Sequence, residues 1–187
     1  MDVRSIITAL AAYVPAADLK AGAAADRPTV VVPREHLLGV ARALRDRVSP
    51  RFDVLVEVTG VDRLPAEPRF EVVYHLVATS GPAKLRLKVL LAGDDARVTS
   101  VQTVWPSANW LEREVWDLFG VVFEEHGDLR RLLMPEDWEG HPLRKDYPVQ
   151  ISMKPKVYEP LQLTEQEFQA NIAADRDARG GAPRPKG

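Results

Sequence analysis

Residues Arg69–Leu91 read RFEVVYHLVATSGPAKLRLKVLL, and their alternation decides the fold class. From Arg69 to Thr79, the residues Phe70, Val72, Tyr74, Leu76 and Ala78 share one side of an extended chain, because successive strand side chains point to opposite faces. Ser80-Gly81-Pro82-Ala83 then supplies turn residues, and from Lys84 to Leu91 the pattern resumes with Leu85, Leu87 and Val89 set against Lys84, Arg86 and Lys88. Two strands so patterned make an antiparallel hairpin with one dry and one wet face. The basic stripe on the wet face reads as a binding face or, more simply, as a solvated sheet surface.

Working outward, Phe52 to Thr59 alternates as another strand up to Gly60, and Asp62 to Pro68 carries loop signals. Val30 to Val32 is a short β-branched run whose following Pro33 opens a helix to Val48, with Leu37, Ala41, Leu44 and Val48 on one stripe. A first helix is expected from Asp2 to Val14, followed by an Ala-rich linker to Arg27, and a weak strand from Val98 to Val104. The class is therefore α+β: a two-layer sandwich, helices packed on one largely antiparallel sheet. Residues 1–104 form this domain, 105–148 complete it with a helix and an irregular segment, and 149–187 make an extended tail.

Composition removes several kinds of chemistry. The chain has 187 residues, 28% of them charged, a net charge of −2 and no cysteine. There is no basic surplus for nucleic acid, and no thiolate to act as nucleophile, disulfide partner or cluster ligand. The glycines never form a dinucleotide or triphosphate cradle, and no nucleophile elbow occurs. Asp2, Pro15, Asp18 and Lys20 argue against reading the uncharged stretch Ser5–Ala17 as a signal peptide.

After residue 104 the texture changes. All four tryptophans lie between Trp105 and Trp138, and residues 112–148 hold ten acids against five bases. Ser107 is the expected N-cap and Gly120 the stop of a helix over Ala108–Phe119. On that helix Leu111, Val115 and Leu118 form one stripe and Glu112, Trp116 and Phe119 another, so apolar residues occupy more than one side, which is wider than a surface helix needs. Its acids Glu112, Glu114 and Asp117 face two readings. Glu112 or Glu114 pairs internally with Arg130 or Arg131, or Trp110, Trp116 and the arginines form a docking surface. His126 and His141, with Glu124, Asp128 and Glu139, are metal-ligand candidates that lack close helical pairing, so hydrogen-bonded loop histidines are the plainer reading.

The run Trp105-Pro106-Ser107-Ala108-Asn109-Trp110-Leu111-Glu112-Arg113-Glu114, then Asp117-Leu118-Phe119-Gly120, Phe123, His126 and Asp128-Leu129-Arg130-Arg131-Leu132-Leu133-Met134-Pro135 resembles the signature of one family. It continues through Trp138, His141-Pro142-Leu143-Arg144-Lys145-Asp146-Tyr147-Pro148. The family is that of the C subunits of the proton-pumping NADH:quinone oxidoreductase, respiratory complex I. One departure is visible: Glu125-His126-Gly127-Asp128 stands where members often have Gly-His-Pro-Asp.

The resemblance implies a cofactor-free, non-catalytic subunit of the peripheral arm, docked on the quinone-site subunit and neighbouring iron–sulfur subunits. NADH, FMN, iron–sulfur clusters and quinone would belong to other chains. The complex would sit at the cytoplasmic side of a bacterial plasma membrane, this chain being peripheral and held through the complex only. The residues implied to carry the docking and signature role are Trp110, Glu112, Arg113, Glu114, Asp117, Phe119, His126, Arg130, Arg131, Trp138, His141, Arg144, Lys145, Asp146 and Tyr147. Alternatives are the equivalent subunit of a membrane-bound hydrogenase or ferredoxin-driven complex, or a stand-alone metal-dependent enzyme using the two histidines.

In the tail, Met153, Val157, Tyr158, Leu161 and Leu163 are spaced as anchors of a strap that orders against a partner. A short helix is expected over Thr164–Ala174, with Thr164 and Glu167 as a capping box and Phe168 and Ile172 as its small apolar face. Asp177–Gly187 has a disordered composition.

Overall fold

Residues 2–22, 26–148 and 164–179 are described by the computed structural model. The hairpin forms as its alternation predicts. Strands β4 (Phe70–Val77) and β5 (Lys84–Leu91) pair antiparallel, with Phe70, Val72, Tyr74 and Leu76 buried opposite Leu91, Val89, Leu87 and Leu85. The polar side is ordered by ion pairs: Lys88 meets Glu71, and Arg86 meets Asp26 at 2.8 Å. This side is thus a charged sheet surface.

The full sheet runs β1-β2-β5-β4-β3, where β1 is Lys20–Ala21, β2 Thr29–Val31 and β3 Val54–Asp62. Only the β2–β5 contact is parallel. Helices α1 (Val3–Leu10) and α2 (Leu37–Asp46) supply Ile6, Leu10, Leu37, Val40, Ala41 and Leu44 to the core. The protein is α+β with a mixed sheet. Residues 1–147 and 148–187 form two separate compact units.

Several boundaries differ from the sequence reading. The expected linker contains β1, an edge strand too short to show a period of its own. The first helix ends at Leu10 because Ala11 N–H bonds both Ile7 and Thr8 carbonyls, tightening the last turn ahead of Pro15. The weak strand is only β6 (Arg97–Thr99). It pairs in parallel with an unanticipated β7 (Val122–Glu124) in a separate two-stranded sheet. Its expected continuation turns instead, Val104 and Trp105 both donating to Val101 O.

Strand β3 passes through Gly60 rather than stopping there. A Cβ on Gly60 would lie 2.7 Å from Phe119 Cδ2, so the glycine admits the ring of helix α3 (Ala108–Phe119) against the sheet. Ser107 does not cap α3: its backbone is already helical, and its Oγ donates to Leu55 O at 3.1 Å. Gly120 does stop the helix, in the left-handed conformation with φ 73°.

In the second unit, α4 (Glu165–Arg179) follows the expected capping box, Thr164 N–H and Glu167 N–H exchanging bonds with the opposite side chains at 2.9 and 3.3 Å. It runs past Ala174, so residues 177–179 are helical rather than disordered. The strap anchors between 153 and 163, and residues 180–187, lie outside the described residues.

Gly60→Ala is expected to lower stability by about 1–3 kcal/mol through overpacking against Phe119. Urea unfolding of the purified chain measures it.

Candidate functional site

Three of the five buried residues of helix α3 are charged. Glu112, Arg113 and Asp117 are all buried beside Ala108 and Val115. Each of the three organises a different part of the molecule.

Asp117 holds the segment after β7. Its Oδ2 accepts the backbone N–H groups of Leu132, Leu133 and Met134 at 2.9, 2.7 and 2.9 Å, and Arg131 Nη1 donates to Oδ1 at 2.6 Å. Burial raises this carboxyl, but the Met134 N–H, the guanidinium and the other two amides outweigh it and hold it below its usual range. Arg131 also donates to Trp138 O and Gly140 O at 2.7 and 3.0 Å, so one guanidinium ties three pieces of backbone together. Its ring neighbour is Trp116, 5.7 Å away.

The end of α3 is capped by the same segment. His141 Nδ1 contacts Asp117 O at 3.0 Å, Leu143 N–H bonds Leu118 O at 3.0 Å, and Arg144 Nε bonds Phe119 O at 2.5 Å. These carbonyls would otherwise lack partners at a helix C-terminus, where a cation is also favourable. Burial lowers the affinity of both His141 and Arg144 for a proton. Further along, Asp62 accepts Lys145 N–H at 2.8 Å and Arg69 at 2.8 Å, while Arg69 reaches Asp146 at 2.7 Å. Arg69 holds the Asp62 carboxyl well below the usual range. Lys145 Nζ reaches Leu64 O, and Tyr147 OH closes the path on Glu139 O.

Arg113 donates to the carbonyls of Arg130 and Arg131 at 3.1 and 3.2 Å, with its guanidinium 4.9 Å from the Trp110 ring centroid. Trp110 itself is 59% exposed. Arg130 is exposed and pairs with Asp128, and Leu133 is also exposed. Glu114 is exposed as well.

Glu112 faces the core. Its oxygens accept Ser100 Oγ–H at 2.5 Å and Val101 N–H at 2.8 Å, and the buried Tyr74 hydroxyl lies in its field without a hydrogen-bond partner among the described residues. Burial pushes the Glu112 carboxyl up to about 7 against those two hydrogen bonds. His126 Nδ1 accepts Asp128 N–H at 3.1 Å, which leaves the proton on Nε2, 3.1 Å from Asn109 O and 4.0 Å from Glu112.

The structure therefore brings nearly all the signature residues together, but with other pairings than the sequence suggested. Glu112 and Glu114 pair with neither Arg130 nor Arg131; Arg131 takes Asp117, the buried acid that faces that segment, while Glu114 points to solvent. Arg69, Asp62, Ser100 and Gly60 were missed because they lie in the upstream domain, and nothing in their local sequence marks a contact with the signature segment. Among the described residues no group of three or more His, Asp or Glu is placed to hold a metal ion. His126 uses both ring nitrogens in the fold, and His141 uses Nδ1.

The family model for the respiratory-chain NADH dehydrogenase 30 Kd subunit matches residues 30–152, from within β2 past the Asp117-held segment. The chain belongs to this family. It is 44% identical over 149 residues to the C subunit of the NADH-quinone oxidoreductase of Roseiflexus sp. (strain RS-1), covering 80% of this chain and 86% of that one. The corresponding C subunit of Geobacter sulfurreducens is 50% identical over 123 residues, 65% of this chain and 75% of its own. Among solved structures, the trypsin-resistant fragment (1-134) of Nqo5 is similar at a TM-score of 0.51 and 33% identity, covering 67% of this chain and 97% of the fragment. A chain of the membrane-bound sulfane sulfur reductase, an archaeal respiratory membrane complex, shares the fold at a TM-score of 0.64 and 22% identity over 98% of both chains.

Glu112 generates a pH prediction. Its folded value near 7 lies above the 4.5 of an unperturbed glutamate, so its contribution is fully present below pH 4.5 and is lost as pH rises through 7. The whole change is about 3 kcal/mol. Glu112→Gln, which keeps one acceptor and one donor, should flatten the fall in unfolding free energy between pH 5 and 8, measured by urea titration at each pH.

Proposed function

We propose that this chain is a cofactor-free assembly subunit of the peripheral arm of an NADH:quinone oxidoreductase, docking on the quinone-site subunit and adjacent iron–sulfur subunits. Electron transfer from NADH through FMN and clusters to quinone, coupled to proton translocation, is carried by those other subunits. The chain attaches peripherally at the cytoplasmic side of a bacterial membrane, through the complex. In keeping with a peripheral attachment, no helix among the described residues is long and apolar enough to cross a membrane. The absence of cysteine removes the usual thiolate ligands of a cluster.

The observation that carries this reading is the division of labour in the signature. Asp117, Arg131, His141 and Arg144 are spent on shaping an irregular backbone, with no arrangement of nucleophile, base and oxyanion donors among them. Helix α3 presents Trp110 outward and the shaped backbone presents Arg130 and Leu133, and aromatic, arginine and aliphatic anchors are what interface centres use.

Two classes of variant separate shape from contact. Arg131→Ala leaves the buried Asp117 carboxylate without its cation and should cost about 3–5 kcal/mol of the chain's own stability. Arg130→Ala and Trp110→Ala should leave the chain's melting temperature unchanged yet reduce the amount of assembled complex on native gels. NADH–quinone turnover per assembled complex should stay normal for both. Normal assembly with a large fall in turnover would instead place these residues in the electron or quinone path.

A further inference from the structure

Strand β3 ends the sheet, and helix α3 lies along it from Ser107 at Leu55 to Phe119 at Gly60. At its start the edge is closed by residues that precede α3: Trp105 Nε1 donates to Phe52 O and Ser107 Oγ to Leu55 O. The register shifts between Leu55 and Glu57, and beyond that point no side chain or loop backbone among the described residues bonds to the backbone of Val56–Val61. That stretch offers a row of unpaired donors and acceptors.

Natural edges are normally blunted by lysine, proline, brevity or cover. Here the strand has nine residues, and Val54–Val61 contains neither lysine nor proline. It displays Val56 at 55% exposure and Val61 at 40%. The single charge in the stretch is Glu57, exposed and set opposite His75 on β4. Apart from the bulge at Leu55–Glu57 and the neighbouring helix α3, the edge carries no such protection, and an apolar edge with unpaired backbone groups is a template for a further strand.

We propose that Val56–Val61 accepts an extended segment of a partner subunit as a sixth strand of the sheet. Main-chain hydrogen bonds give the pairing, β-branched side chains cover Val56 and Val61, and a lysine or arginine stands beside Glu57. The charge selects a partner over a second copy. Pairing β3 with itself about this stretch would bring two Glu57 carboxylates within a few positions of each other with no cation between them, and like charges across a strand pair are unfavourable. The inference rests on the proposed assembly role, but it concerns a different surface from Trp110 and Arg130.

The test uses the purified assembled complex carrying a genetically encoded diazirine amino acid at position 56, 57, 59 or 61. Illumination should link all four positions to one partner segment, the linked residues advancing in step along it, with a basic residue at the site reached from 57. In hydrogen exchange, the amides of Val56–Val61 should slow about tenfold or more in the complex relative to the isolated chain. Glu57→Lys should reduce retention of the chain in the complex severalfold and leave its melting temperature unchanged. Links to a helix, to scattered sites, to a second copy or to residues 149–163 of the same chain would overturn the inference, as would unchanged exchange. If those results come from a complex that does contain the chain, the assembly role survives and only the sixth strand falls. If no complex contains the chain, both fall.

Discussion

The buried carboxylate of Asp117 is the contact on which the irregular part of the molecule depends. Removing a carboxylate from water costs several kcal/mol, so its location demands compensation. Four donors supply it: the N–H groups of Leu132, Leu133 and Met134, and Arg131 Nη1. The direction of its proton affinity, below the ordinary value, shows that the donors win over burial. In return the residues after β7, which have neither helix nor strand bonds of their own, acquire one path. That path then returns to cap α3 with His141, Leu143 and Arg144, so helix and loop stabilise each other.

Glu112 lies five residues earlier on the same helix and reaches the opposite outcome. It has two donors, Ser100 Oγ and Val101 N–H, and no arginine or lysine among the described residues pairs with it. Burial then dominates and its carboxyl holds a proton to about pH 7. The difference is positional. Five residues are nearly one and a half turns of helix, so Asp117 points to the arginine-bearing segment while Glu112 points under the sheet toward Tyr74. One helix carries a charged anchor on one side and a proton-holding group on the other.

How much of this was legible depended on whether the signal was periodic. The β4–β5 hairpin and α2 repeat their apolar spacing over two or more turns or pleats, and their inner faces are as read. The edges β1 and β7 are two and three residues long, too short for any period. Ser107 had the right residue type for a cap, but a nearby unpaired carbonyl of β3 took its hydroxyl. The signature residues were named as a set by the family resemblance, of which the clustered Trp, Arg and acidic residues are only a part. Their pairings were not, since which acid meets which arginine is fixed by helix rotation rather than by spacing.

The anchoring of Trp110 joins these points. A tryptophan exposed on a helix ordinarily loses rotamer freedom when a partner covers it, and that loss is subtracted from binding. Here Arg113 lies over the ring, and its own guanidinium is held by the carbonyls of Arg130 and Arg131. Those carbonyls are in turn fixed by Arg131 gripping Asp117. The orientation of the exposed ring is therefore set through a chain of contacts that ends in the buried carboxylate. In the proposed docking role, the buried acids and the exposed tryptophan act as one device, the first giving the shape that lets the second bind with little further ordering.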